Sequence, residues 1–131
     1  MKTAYPAIFT KLADGYAVHV PDFPIDTQGD DLTEAIEMAR DAIGIMGIDM
    51  EDDRKELPKP SNPERMKCET GGFISMVDID FTAYRRANEK RTVRRNVSLP
   101  SWLNTEAERA GINVSAVLQT ALKQELQIAD R

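Results

Sequence analysis

Asp78 and Asp80 stand two residues apart in the stretch GGFISMVDIDF, residues 71–81. In a strand that spacing puts both carboxylates on one face. Two carboxylates on one face have the chemistry to hold a divalent cation for phosphoryl transfer. A two-metal nuclease needs further carboxylates converging on the same place, and Asp22, Asp26 and Glu37 are the candidates. The plainer reading is that Val77, Ile79 and Phe81 face a core while the two aspartates face water. His19 is the single histidine and Cys68 the single cysteine. No serine or cysteine nucleophile stands in a recognisable motif, so the functional reading of His19 is a partner contact on the outward face of a strand. Cys68 has no second cysteine at metal-ligand spacing and reads as a free thiol. Glu51-Asp52-Asp53 lacks the pattern of a calcium loop, and no glycine-rich phosphate loop is present. These residues call for no cofactor and no metal.

The other chemistry-bearing stretch is KRTVRRNVSLPSW, Lys90 to Trp102. Apolar and polar residues alternate in it. Val93 or Arg95, then Val97 and Leu99, fall on one face of a strand. Thr92, Arg94, Asn96 and Ser98 fall on the other. Arginine donates a bidentate pair to guanine O6 and N7, asparagine pairs with adenine N7 and N6, and serine adapts to either. Lys90, Arg91 and Arg95 add phosphate contacts that weaken with salt. The alternative is a solvated edge strand blunted by its charges. Arg95 sits where a wholly apolar inner face would carry a hydrophobe.

Certain elements must position these residues. AYPAIFTKLADGYAVHV reads as a β-hairpin, with strands around Ala7–Phe9 and Tyr16–Val20 and a turn at Asp14-Gly15. Tyr16, Val18 and Val20 share one face, and Ala17 and His19 the other. A short third strand is expected at Ile25–Thr27. Leu32, Ile36, Ala39, Ile43 and Met46 then form one helical stripe. Asp31 and Glu34 have capping-box spacing, with Asp30 as the alternative cap. Gly44 and Gly47 weaken the end of that helix. The charge run and the three prolines between Asp49 and Lys67 read as loop. Met38, Met46 and Met50 read as core or helix-end packing. A strand at Gly72–Phe81 completes a β-β-β-α-β body. Residues 82–89 read as a helical turn or hinge. Two helices end the chain: one opens at Pro100 and closes at Gly111, and the other has Asn113 as its N-cap. Trp102 is expected at the edge of their core. The fold class is therefore α+β.

Charge divides the 131-residue chain the same way. The net charge is −5, but residues 1–81 carry −9 and residues 82–131 carry +4. A basic tail on an acidic body fits binding to a polyanion, and the alternative is a tail docked on its own body. No apolar run approaches the ~20 residues of a membrane span, and nothing resembles a signal peptide. With one cysteine, a cytoplasmic location is the simplest expectation. Taken alone, residues 90–131 are too few to hold a core, since chains near 40 residues usually need a disulfide, a metal or another subunit. A symmetric dimer with paired strands solves this.

The tail resembles the ribbon–helix–helix DNA-binding family over VRRNVSLPSWLNTEAERAGINVSAVLQTALKQEL. The shared features are an alternating strand ending in Leu99-Pro100, a helix closing at Gly111, and the Gly-Ile-Asn-Val-Ser turn into a second helix. The resemblance implies a two-stranded ribbon from two subunits in the DNA major groove. By position, Arg94, Asn96 and Ser98 would read bases. The amides of Val114 and Ser115, beside Asn113, would hold a phosphate, which suits a helix N-terminus. Val97, Leu99, Val117, Leu118 and Leu122 would form the dimer core.

The body resembles HicB antitoxins. The matching features are the Pro21-Asp22-Phe23-Pro24 turn, the Thr27-Gln28-Gly29 loop and the Glu34-Ala35 helix start, in that order. Where the family carries Gly-Cys after the second proline, this chain has Ile25-Asp26. The resemblance implies a partial ribonuclease-H-like body over residues 1–81, a hinge over 82–89 and a DNA-binding and dimerisation domain over 90–131. It also implies a non-enzymatic antitoxin of a type II pair. Such a protein binds a small HicA-like, mRNA-cleaving toxin and represses its own operon. The acidic body suits a basic toxin. The implied partners are operator double-stranded DNA, the toxin and a second copy of the chain, with a tetramer as the larger assembly. Two other readings stand beside it: a ribbon–helix–helix repressor whose body senses a ligand or protein, and a metal-dependent nuclease using Asp78 and Asp80.

Overall fold

The computed structural model describes residues 2–89 and 91–128. It divides into two units, Met1–Arg91 and Thr92–Arg131. In the first, four strands form one antiparallel sheet: β1 (Lys2–Leu12), β2 (Gly15–Val20), β3 (Ile25–Gly29) and β4 (Gly72–Asp80). Their order across the sheet is β3-β2-β1-β4. Phe9 stands opposite Val18 on one side and Phe73 on the other. The two-to-one alternation puts Tyr5, Ala7, Phe9, Val18, Val20, Ile25, Val77 and Ile79 on the buried face.

β1 is far longer than the three residues its hydrophobic pattern suggests, because it runs through Pro6. Proline lacks the ladder donor and belongs at edges. Here the pairing with β2 begins only at Ile8, opposite His19, so Pro6 has a neighbour on the β4 side alone. The hairpin turn also sits one residue earlier than expected. Leu12 pairs with Gly15, which leaves Ala13-Asp14 as the loop. Gly15 takes a φ of +145°, and a Cβ there would lie 2.1 Å from the Gly29 carbonyl oxygen.

Helix α1 (Leu32–Asp52) covers the buried face. Asp31 is its N-cap and accepts from the Glu34 amide at 2.8 Å, and Glu34 accepts in turn from the Asp30 amide at 3.3 Å. The buried side of α1 is Ala35, Ala39, Ile43, Gly44 and Gly47. Met46 was expected in this stripe and is 36% exposed instead. Small residues at four-residue steps let the helix lie flush, and that rotates Met46 outward. Met38 is exposed as well, while Met50 packs against the core.

The helix also outruns its expected end. Gly44 and Gly47 do not fray it, because each receives a ring from helix α2 (Phe81–Asn88), which follows β4. A Cβ on Gly44 would lie 2.6 Å from the Tyr84 ring, and one on Gly47 would lie 2.1 Å from the Phe81 ring. Asp80 caps α2, accepting from the Ala83 amide at 3.1 Å. Thus residues 82–88, read from sequence as a turn or hinge, are a helix docked on α1, and the first unit extends past Phe81. Its core stays apolar throughout, with Phe23 and Phe81 joining the strand residues and no buried charged group among the described residues.

The second unit contains helices α3 (Ser101–Arg109) and α4 (Val114–Glu125). Gly111, at φ +68°, ends α3 in a Schellman turn, in which the Ile112 amide donates to the Ala107 carbonyl and the Gly111 amide to that of Glu108. No described residue of this unit is buried.

Gly47→Ala sets two effects against each other. Helix propensity alone favours alanine by about 0.8–1.0 kcal/mol. Overpacking against a well-packed ring costs about 1–3 kcal/mol, and Phe81 is 2% exposed. Urea or thermal unfolding of the variant should therefore show a lower midpoint than the parent. A raised midpoint would mean that the ring moves aside freely.

Candidate functional site

Arg94, Asn96 and Ser98 follow one another at every second residue, and all are exposed. Arg91 and Arg95 are exposed beside them, and Lys90 lies outside the described residues. The strand expected over residues 90–99 is not formed by the single chain: residues 91–100 belong to neither helix nor strand. A strand needs a neighbour for its backbone donors and acceptors, and the sheet of this chain consists of β1 to β4 alone. Val97 is 51% exposed and Leu99 40%. Val117 and Leu122 are exposed on α4, with Leu118 half-buried beside them. Trp102 is 68% exposed.

Asn113 caps α4 as its sequence position suggests, accepting from the Ala116 amide at 3.1 Å. The amides of Val114 and Ser115 precede the first intrahelical bond, so the helix itself supplies them no acceptor. They stand at the positive end of the α4 dipole.

In the body, the carboxylates that a nuclease would require are engaged separately. Asp78 accepts from the Arg40 guanidinium at 2.9 Å and pairs with Lys2 at 3.4 Å. Arg40 also donates to the Asp78 carbonyl at 2.9 Å. These bonds, Arg40's first and then Lys2's, hold the Asp78 carboxyl below its usual range. Asp80 is committed to the α2 cap, Asp22 accepts from the Ser61 amide and hydroxyl, and Asp26 accepts from or pairs with His19 Nδ1 at 2.9 Å. Glu37 is exposed on α1. Among the described residues, no three His, Cys, Asp or Glu side chains are grouped to hold a metal ion. Cys68 is exposed. No described helix is long and apolar enough to cross a membrane.

The family model described as the HicB-like antitoxin of bacterial toxin–antitoxin systems matches residues 5–121. This chain belongs to that family. The match takes in the body from Tyr5, helix α3 and the first two turns of α4. An uncharacterized 14.9 kDa protein of the rep–hol intergenic region of Haemophilus phage HP1 is 36% identical over 104 residues. That alignment covers 76% of this chain and 74% of the phage protein. A toxin–antitoxin complex from Streptococcus pneumoniae matches with a TM-score of 0.61 at 27% identity, covering 95% of this chain and 99% of that one. The antitoxin HicB of Burkholderia pseudomallei shares the fold, with a TM-score of 0.55 at 20% identity, 98% of this chain and 99% of that one. These likenesses support an antitoxin role.

The HicB-like sequence features acquire physical reasons here. A Cβ on Gly29 would lie 2.3 Å from the Ala35 amide nitrogen. The Thr-Gln-Gly loop and the Glu-Ala helix start are thus two sides of one close contact. Ile25, standing where the family has glycine, is 6% exposed and opens β3, and Asp26 faces His19 across the β2–β3 ladder. The docking of α2 escaped sequence reasoning. Tyr84 donates to Asp41 at 2.8 Å, and Arg85 binds Asp52 and Glu89 at 2.9 Å and Glu51 at 3.3 Å. Burial and then the bond to Asp41 push the Tyr84 phenol up to about 12. The available signal was Gly44-x-x-Gly47, a step of small residues on one helix face that invites close approach.

The Arg40–Asp78 pair gives a titration with a definite sign. A depressed carboxyl stabilises the fold above its ordinary range, and that contribution is lost as pH falls through the depressed value. In Arg40→Met, which keeps the aliphatic stem, carboxyl-detected NMR should show Asp78 titrating at higher pH than in the parent. Asp78 would then titrate more nearly alike in the folded and unfolded chain, so the variant should be less stable near neutral pH and lose less stability on acidification than the parent. An unmoved Asp78 midpoint would mean that Arg40 does not hold the carboxylate.

Proposed function

We propose that this HicB-like chain is a cytoplasmic, non-enzymatic antitoxin of a type II pair. Its acidic body binds and neutralises a small basic, mRNA-cleaving toxin of the HicA kind, and its tail dimerises and represses its own operon. The observation that carries the DNA half is the unfinished tail. Val97, Leu99, Val117 and Leu122 are exposed in one chain, and a second copy offers both the missing core and the missing strand partner. Pairing through residues 92–99 turns Val97 and Leu99 inward. It leaves Arg94, Asn96 and Ser98 outward as a ribbon that enters the major groove. Asn113, Val114 and Ser115 then hold one phosphate, and Arg91 and Arg95 hold others. A tail-to-tail dimer is the minimum assembly.

For the toxin half, the support is the family match, the Streptococcus pneumoniae neighbour solved as a toxin–antitoxin complex, and the body's charge of −9. Opposite charge speeds and orients encounter with a basic protein. Against the nuclease reading stands the present engagement of Asp78 in an ion pair and of Asp80 in a helix cap.

Val97→Asp puts a charge into the shared core, so sedimentation should find a monomer and gel shifts on DNA upstream of the gene should find no binding. A Val97→Asp chain that still dimerises overturns the ribbon. Arg94→Ala and Asn96→Ala should leave the dimer intact, each removing ~1–3 kcal/mol of base discrimination. Arg91→Ala should weaken all sequences alike and lower the salt slope by about 1. Co-expression with a HicA-type toxin should yield a stable complex and relieve that protein's toxicity. Two freely separating proteins would sink the antitoxin assignment.

A further inference from the structure

Helix α1 carries a second apolar pattern that the fold does not use. Its buried side is satisfied by Ala35, Ala39, Ile43 and the two glycines. On the opposite side, Ile45 is 53% exposed and Met38 44%. They are seven residues apart, two turns along one face. Around them on the same side stand Glu34, Glu37, Asp41 and Asp49, all exposed. The one basic residue of the helix, Arg40, is turned away to Asp78. Among the described residues, Glu37 and Asp49 have no cation partner. The result is two large apolar anchors within a rim of carboxylates.

We infer that this face of α1 is the docking surface for the basic toxin, an inference that rests on the proposed antitoxin function. Apolar anchors ringed by charge are the arrangement of a protein-binding hot spot. The sign of the rim selects the partner: a protein that grips RNA must present a cationic surface, and this face offers it fixed negative charge. The other uncovered surface, the outer face of the sheet, lacks that charge. Its carboxylates are already paired, Asp26 with His19 and Asp78 with Arg40 and Lys2. A helix also presents its carboxylates on a rigid backbone, and Tyr84 and Arg85 of α2 brace this one from the side.

The test uses the full chain and a purified HicA-type toxin, with affinity followed by calorimetry and association rates by stopped-flow fluorescence at several salt concentrations. Ile45→Lys should weaken the complex about tenfold or more, as removal of an anchor does. Glu37→Lys with Asp49→Lys should slow association and flatten its salt dependence. Met76→Asp, on the outer face of the sheet where Met76 is 43% exposed, should bind like the parent. All these sites are exposed, and circular dichroism and gel shifts on operator DNA confirm that fold and tail are intact. If the parent binds and the α1 variants match it, the docking face is wrong while the antitoxin reading stands. If Met76→Asp alone weakens binding, the toxin sits on the sheet. If the parent itself does not bind, the antitoxin reading fails first.

Discussion

The body depends on one contact too close for any side chain. The end of β3 meets the start of α1 at Gly29, where a Cβ would lie 2.3 Å from the Ala35 amide. Ala35 itself is fully buried. This contact sets the height of α1 above the sheet, and the Asp31 cap fixes where the helix begins. A larger residue at either position would lift the helix off Phe9, Val18 and Val77. With α1 placed, Gly44 and Gly47 become notches that receive Tyr84 and Phe81. The position of α2, and so the point at which the chain leaves the body, follows from Gly29, with all of α1 and β4 between them in the chain. The same low profile exposes Met38 and Ile45 on the far side, since a helix seated on small residues has its bulk facing out.

The tail is built on the opposite plan. The body buries thirteen hydrophobic residues in one cluster, whereas the tail has well-terminated helices and buries none of its described residues. Local signals alone complete α3 and α4: Asn113 at one cap, Gly111 at the Schellman turn. Caps are worth about 1 kcal/mol each, which orders a helix end but does not supply a core. The difference is one of covalent economy. The main apolar face of the body finds its partner within the same chain, and in the proposed dimer a second copy would supply the one the tail lacks.

This contrast explains what was legible in the sequence. Elements closed by local chemistry were readable: the hairpin, the Asp31 and Asn113 caps, the Gly111 stop, and the in–out alternation of Val77, Asp78, Ile79 and Asp80. The readings that missed all concern contacts between distant segments. Pro6 looked like a strand boundary because sequence does not show that β2 ends before reaching it. Gly44 and Gly47 looked like weak points because the rings that fill them lie more than thirty residues away. Residues 82–88 looked like a hinge because they hold a single ring, Tyr84, which together with Phe81 just before them serves α1. Of the proposed functional residues, the alternating Arg94, Asn96 and Ser98 were readable as a pattern, yet residues 91–100 form no strand in the single chain. The exposed face of α1 went unread because Ile45 lies beside the core stripe in sequence and apart from it only in three dimensions.

Arg95 brings these arguments together. By alternation it shares the inward side with Val97 and Leu99, and an isolated buried charge there would cost several kcal/mol. In the single chain it is exposed. A ribbon that begins in earnest at Asn96 resolves the conflict, because strands diverge at their ends and an arginine there has a stem long enough to carry its guanidinium to a phosphate. The pairing would then be held by Val97 and Leu99, and Arg95 would belong to the DNA-facing charge of the tail. On the proposed function, a charge misplaced by pattern would become a phosphate anchor by geometry, and Arg91, Arg94 and Arg95 would gather where the ribbon opens.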